Sequence, residues 1–209
     1  MAKQYVIEHM EDGIFPWVVL EYAAVSHDVG GENFHLTSLS PSLMESLPKE
    51  LAAPGVVQAT TTEIINLPGV RELAEQGRVC LLDPAAEKDL CPEDAVNFDW
   101  FVFGGILGDH PPRDRTGELR KYGFQGRRLG SVQMTTDTAI RVVKIVIQDQ
   151  VPLDKVPYTD FPELRWNAHE STEMPFRYVK DETTGEPIMP KGMRELIRED
   201  ANRGFDDFL

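Results

Sequence analysis

The chain of 209 residues, 41% of them hydrophobic, is long enough for one folded domain with a sizeable buried core. Its 35 acidic residues against 21 basic ones leave a net charge of −14. That balance opposes a grip on nucleic-acid phosphates and favours a basic partner, although surface acidity also serves solubility. No stretch approaches the roughly 18 apolar residues of a membrane span, and no apolar signal segment follows Met1, so a soluble, cytoplasmic protein is expected.

In chain order, Tyr5-Val6-Ile7 reads as a first strand. A helix is expected from Phe15, with Phe15, Val18, Val19, Tyr22 and Val25 on one face and Gly30-Gly31 stopping it. Phe34–Thr37 reads as a strand, 41–54 as a short helical pattern broken by Pro48, and Val56–Thr60 as another strand. Ile64–Gln76 is a helix candidate interrupted or started near Pro68. Arg78–Leu82 is a buried strand ended sharply by Asp83-Pro84. A polar loop or short helix leads to Asn97, and a strand follows over Asp99–Phe103. Thr135 or Thr136 is suited to cap a helix running to about Gln150, with Ile140, Val143 and Ile147 as its apolar stripe. Its β-branched content is high for a helix, so packing rather than propensity must hold it.

Alternating strands and helices predict an α/β fold with a largely parallel sheet and flanking helices over residues 1–150. Beyond Val151 the texture changes: prolines at 152, 157, 162, 175, 187 and 190 break regular structure. Tyr158, Phe161, Trp166, Phe176 and Tyr178 would anchor residues 151–209 as an extended C-terminal tail on the same domain. A last short helix is expected over Met193–Arg203. Cys80 reads as a buried thiol and Cys91 as a loop residue; no CxxC pair exists, and a disulfide is not expected in this setting.

Familiar site motifs are missing. The Gly104-Gly105-x-x-Gly108 spacing is not that of a dinucleotide fingerprint, and there is no P-loop and no GxSxG elbow. The five histidines form no HxH or HExxH pair, so no metal site is expected. What remains is a set of loops after strands: Leu82-Asp83-Pro84, the glycine-rich stretch after Trp100-Phe101-Val102-Phe103, and the turn around Leu129-Gly130. Glycines there serve tight turns, and they also let backbone approach a flat ligand closely. Loops of this kind side by side make a backbone-lined pocket at one edge of a sheet, where α/β proteins bind nucleotide-like ligands. Leu82, Ile106, Leu107, Leu129 and Met134 could sandwich an adenine.

Three runs carry a resemblance: 103–116 (FGGILGDHPPRDRT), 127–130 (RRLG) with 133–141 (QMTTDTAIR), and 172–179 (TEMPFRYV). Together with Ile7–Met10 and Arg78–Pro84, they make the chain resemble the SPOUT-type protein arginine N-methyltransferases of fungi, which modify a small-subunit ribosomal protein. The resemblance covers essentially the whole chain. It implies a knotted α/β fold and S-adenosylmethionine bound in the knot. The knot loops would be Leu82–Pro84, Phe103–Gly108 and Leu129–Thr136. Carried over residue by residue, the cofactor-binding positions are Leu82, Asp83, Pro84, Phe103, Gly104, Gly105, Ile106, Gly108, Leu129, Gly130, Met134, Thr135 and Thr136. It further implies a basic ribosomal protein as partner, no membrane or nucleic-acid partner, a single methyl per arginine and a monomer whose tail covers the surface that RNA-modifying relatives use to pair.

The chemistry of such a reaction constrains the site. A guanidinium about 5 Å from a sulfonium is repelled by roughly 3 kcal/mol at an effective dielectric near 20. Removing its proton beforehand would cost about 7 kcal/mol or more at neutral pH. A carboxylate that holds the guanidinium and takes the proton as the bond forms is the economical solution. Asp109, Asp114 and Glu173 are the candidate catalytic residues, with Asp137 a further carboxylate that also suits a helix N-terminus. Arg113, Arg115, Arg127 and Arg128 could clamp a ligand carboxylate or pair internally with the excess acid. Two other functions fit the same pattern: a SPOUT-type RNA methyltransferase, and a non-catalytic ribosome factor that binds an adenosyl ligand.

Overall fold

The computed structural model describes residues 2–11, 13–104, 116–167 and 170–206, with side chains up to residue 200. Six strands form one parallel sheet: β1 (Gln4–Glu8), β2 (Phe34–Thr37), β3 (Gln58–Ala59), β4 (Val79–Leu82), β5 (Trp100–Gly104) and β6 (Gln125–Arg127). Their order is β3-β2-β1-β5-β4-β6. In register, Ile7 lies beside Leu36 on one side and Phe103 on the other, and Leu82 lies beside Phe103.

A parallel sheet covered on both faces needs strands that are apolar at every position. β4 and β5 meet that need, and so does the centre of β1, Tyr5-Val6-Ile7, while the buried Glu8 at its end is bonded to Thr37, Ser38 and the Ile64 N–H. Tyr5, Ile7, Cys80, Leu82, Phe101 and Phe103 point into one core, and Val6, Val79, Leu81 and Val102 into the other. The first core is closed by α1 (Pro16–Val29) and α7 (Thr136–Ile147), through Val18, Tyr22, Val25, Ile140, Val143 and Ile147. The second is closed by Ile64, Ile65 and Val70, by Leu119 of α6 (Thr116–Leu119) and by Phe124. Each large side chain buried this way contributes about 1.5–3 kcal/mol, which is how the β-branched α7 stays helical. Among the described residues, no helix is long and apolar enough to cross a membrane.

The helical stretch over Ile64–Gln76 is interrupted near Pro68 as expected: a 3₁₀ turn (Ile64–Asn66) precedes α4 (Val70–Glu75), separated by Pro68 and Gly69, with φ at +79°. Val56–Thr60 pairs only at Gln58–Ala59. α2 (Pro41–Glu45) and α3 (Lys49–Ala52) flank Pro48, as the pattern indicated, and α5 (Asp94–Asn97) occupies the polar stretch before β5. Strand β6 was not anticipated: it is three residues long and contains Gly126. On α1, Phe15 is 55% exposed and stacks on Trp17, while Glu21 is buried. Thr135 stands at the N-cap of α7, but its hydroxyl engages Thr138 Oγ1 at 2.8 Å instead of capping a backbone N–H.

The tail is ordered as two short antiparallel pairs rather than a continuous extended wrap. β7 (Tyr158–Asp160) pairs with β10 (Arg177–Val179), and β8 (Glu163–Arg165) with β9 (Ser171–Glu173). Tyr178 is the buried anchor; Phe161 is half exposed in a left-handed turn. β10 packs on α7, and the final helix α8 (Met193–Asp206), a little longer than expected, packs on α1. Both cysteines are free.

Candidate active site

The C-terminal ends of β4, β5 and β6 and the N-terminus of α7 open toward the same side of the molecule. A cavity of about 400 Å³ lies between them, the size of a small-ligand site. Leu82, Asp83, Pro84 and Ala85 leave β4 along one wall, and Phe103 and Gly104 end β5 at its floor. The loop from Leu129 to Met134 crosses it, and Thr136 and Ala139 of α7 close the far side. Gly130 has φ at +83°, and a Cβ there would meet nothing within 4 Å. Its backbone conformation, not lack of space, calls for glycine.

The charges around this cavity are matched within the protein. Arg120 donates to both carboxylate oxygens of Asp83, at 2.6 and 2.7 Å, and the Ala85 N–H donates to Asp83 at 2.9 Å. The Arg120 hydrogen bonds hold the Asp83 carboxyl below the usual carboxylate range. Arg127 makes a second two-point pair with Asp94, at 2.9 and 2.8 Å, and lies over the Phe98 ring. Arg128 pairs with Asp89 at 2.6 Å. Arg127 and Arg128 are therefore internal partners of acid. With both lining arginines engaged, the apolar walls and backbone edges suit a nucleoside without phosphates better than a nucleotide.

Leu82, Asp83, Pro84, Phe103, Gly104, Leu129, Gly130, Met134 and Thr136 line this cavity. Thr135 instead lines a second cavity of about 300 Å³ next to it, and Gln133 and Met134 line both. Gly105, Ile106 and Gly108, the catalytic candidates Asp109 and Asp114, and Arg113 and Arg115 lie outside the described residues, as does that part of the implied knot. Glu173 is exposed on β9 opposite Glu163 and lines neither cavity. Asp137, in the first turn of α7, is 1% exposed and lines the second cavity. Ala85, Thr116, Arg120, Ser131, Val132, Gln133 and Ala139 also line the first cavity and were not among the expected cofactor-binding positions. The neighbours of the expected positions in the 129–136 loop were a usable signal; α6 and Arg120 arrive only through tertiary packing.

The family described as "Protein arginine N-methyltransferase SFM1-like" matches residues 4–204. The chain belongs to this family. Protein arginine N-methyltransferase SFM1 of Saccharomyces cerevisiae is 49% identical to it over 216 residues, spanning 99% of each chain. The crystal structure of the yeast SFM1 arginine methyltransferase complexed with S-adenosylmethionine (SAM) superposes with a TM-score of 0.85 at 50% identity, covering 96% of this chain and 92% of that one. The complex of the yeast enzyme with S-adenosylhomocysteine (SAH) gives 0.84, covering 93% and 94%. A full-length Trm10–SAH complex, at 10% identity, matches with a TM-score of 0.52 over 74% of this chain and 92% of that one, a likeness of fold alone. The SFM1-like chain thus shares its α/β fold, a six-stranded parallel sheet with flanking helices, with the Trm10 methyltransferase structure.

Proposed function

We propose that this SFM1-like protein binds SAM in the 400 Å³ cavity and transfers its methyl group to one arginine of a basic small-subunit ribosomal protein, adding a single methyl. The observation that carries the reading is the cavity itself: a backbone-lined, apolar-walled pocket at the end of a parallel sheet, with its own charges already paired. The residues present fit the adenosyl group. Leu82, Leu129, Met134 and Ala139 offer flat apolar contact, and the backbone around Phe103-Gly104 and Leu129-Gly130 offers edges for ring hydrogen bonds. The expected positions Gly105, Ile106, Gly108 and Thr135 complete this cofactor set in the proposal.

When bound, SAM supplies an electrophilic methyl on a positively charged sulfur. The protein's task is to exclude water, present the acceptor nitrogen in line and stabilise two neighbouring cations. The net charge of −14 supports a basic protein as acceptor over RNA. The resemblance supports the single methyl, a monomer and a cytoplasmic setting. Residues 151–209 act in this reading as an appendage of the 1–150 domain; β10 and α8 already lie against α7 and α1.

The test is transfer of labelled methyl from SAM to a fungal ribosomal extract, followed by separate protease and ribonuclease digestion. Label is expected in one small-subunit protein and, after hydrolysis, as monomethylarginine. Label in RNA, or SAM binding with no transfer to any ribosomal protein, would overturn the proposal.

A further inference from the structure

The second cavity, of about 300 Å³, shares Gln133 and Met134 with the first. Its remaining walls come from α1, the start of α7, the tail and α8. Deep in it are two carboxylates, Glu21 at 3% and Asp137 at 1% exposure. Among the described residues Glu21 Oε2 has no hydrogen-bond partner, and Asp137 is supported by looser contacts with the Thr135 side chain and the Thr138 backbone N–H, which draw its carboxyl down without offsetting its burial. Among the described residues the cation paired with Asp137 is Arg141, 3.8 Å away and drawn to Asp28 at 2.7 Å. Among the described residues no lysine or arginine lines the cavity. Burying two carboxylates beside each other with so little compensation is costly unless a cation arrives to meet them.

We infer that this cavity seats the acceptor arginine, with Glu21 and Asp137 holding its guanidinium and receiving its proton, an assignment that rests on the neighbouring cavity being the cofactor site. The shape and walls favour a guanidinium over an ammonium. Trp17, Phe176 and Tyr178 present aromatic surface, on which a planar cation stacks, and two carboxylates can each take two of its five N–H donors. Asp200 on α8 adds negative charge to the lining.

Burial pushes both carboxyls upward, and Glu21 is raised further by the charge of Asp137. The groups around them are Asp28 on α1, Arg141 on α7, Tyr178 on β10, raised by burial and by both carboxylates, and Asp200 on α8. Glu11, after β1, acts on the neighbouring Tyr22. Without a cation the pair keeps a proton; a docked guanidinium ionises it, so binding releases that proton.

In the transfer, an N–C bond forms between a guanidinium nitrogen and the methyl carbon as the C–S bond breaks. The bonding pair stays on sulfur, which becomes a neutral thioether. The nitrogen's surplus proton passes to the ionised carboxylate pair, leaving a methylated guanidinium that still carries one positive charge.

The experiment compares wild type with Glu21→Gln and Asp137→Asn. SAH titration checks fold and cofactor site. A short arginine peptide is titrated in the presence of SAH, by calorimetry in buffers of different ionisation enthalpy, alongside a lysine-substituted peptide. Turnover is measured at saturating SAM on the protein substrate. Expected are unchanged SAH affinity in both variants, a fall in kcat of about 100-fold or more for Glu21→Gln, and arginine-peptide affinity lowered about tenfold. Wild type should release up to about one proton per bound arginine peptide, and Glu21→Gln distinctly less. The lysine peptide should bind wild type no better than the variants. Wild-type kcat and peptide affinity in Glu21→Gln, with SAH binding intact, would overturn the inference. Failure of wild type itself to bind SAH would instead overturn the reading of the first cavity. If Glu21→Gln does not fold, Trp17→Ala, at a partly exposed wall position, decides by the same peptide and turnover comparison.

Discussion

Two adjoining cavities in this protein treat charge in opposite ways. In the larger one each lining charge already has a partner: Asp83 with Arg120, and Arg127 with Asp94. In the smaller one Glu21 and Asp137 are buried as deeply, yet among the described residues the cation paired with Asp137, Arg141, is 3.8 Å away and engaged with Asp28. Paired charges shape a pocket and stabilise it. Carboxylates left short of partners in an acid-lined pocket mark where the protein awaits a positive charge from elsewhere. The difference supports the proposed division, with the nucleoside end of the chemistry in one cavity and the acceptor cation in the other.

The largest expected effect breaks the first cavity alone. Ala139→Phe fills space on the α7 wall of the larger cavity without removing any charge pair. Cofactor affinity should fall at least about 100-fold, roughly 2.7 kcal/mol, while the circular dichroism spectrum and melting curve stay near wild type. Normal SAM affinity in that variant would remove the cofactor from this cavity.

A medium effect sharpens the role of paired charge. Arg120→Ala leaves Asp83 buried without its two-point partner and should cost about 1–2 kcal/mol near neutral pH, allowing for the solvent screening of a part-exposed arginine. Because Arg120 holds the Asp83 carboxyl low, this stabilisation is present above the ordinary aspartate range and is lost as pH falls through the lowered value. Urea unfolding at pH 7 and pH 3 should therefore show the gap between wild type and variant narrowing in acid.

The smallest effect has the opposite sign. Glu21→Gln should raise the stability of the cofactor-free, substrate-free protein by about 1 kcal/mol at pH 8. The folded state lifts the Glu21 carboxyl, so wild type loses stability as pH rises above the ordinary glutamate value, and glutamine cannot ionise. The advantage should disappear near pH 4. A destabilised Glu21→Gln at pH 8 would mean that the carboxylate is a structural partner and would erase the contrast between the cavities.

The larger cavity was legible in the sequence because its walls are strand ends. Val79–Leu82 and Trp100–Phe103 are apolar throughout, and Asp83-Pro84 and Gly104 mark where each strand stops. Ala139 and Arg120 were not legible, since an alanine on a helix and an arginine in a short turn join the site only when α7 and α6 dock on the sheet. Strand β6 was missed because three residues with a central glycine show no period. The smaller cavity did leave a signal. Glu21 is three residues after Val18 and four before Val25, on the apolar stripe of α1, and Asp137 is three before Ile140 on that of α7. A carboxylate on each of two packed apolar stripes is the pattern of a buried acidic pair; Asp137 is among the carboxylates singled out from the sequence and Glu21 is not, while Glu173 is exposed on β9.

The most direct measurement is a crystal structure of the protein with SAH and a short arginine-containing peptide. The account predicts SAH between Leu82–Pro84, Gly104 and the 129–136 loop, and a guanidinium between Glu21 and Asp137, reached past Trp17. A guanidinium bound elsewhere, with the Glu21–Asp137 cavity closed or filled by water, would contradict it.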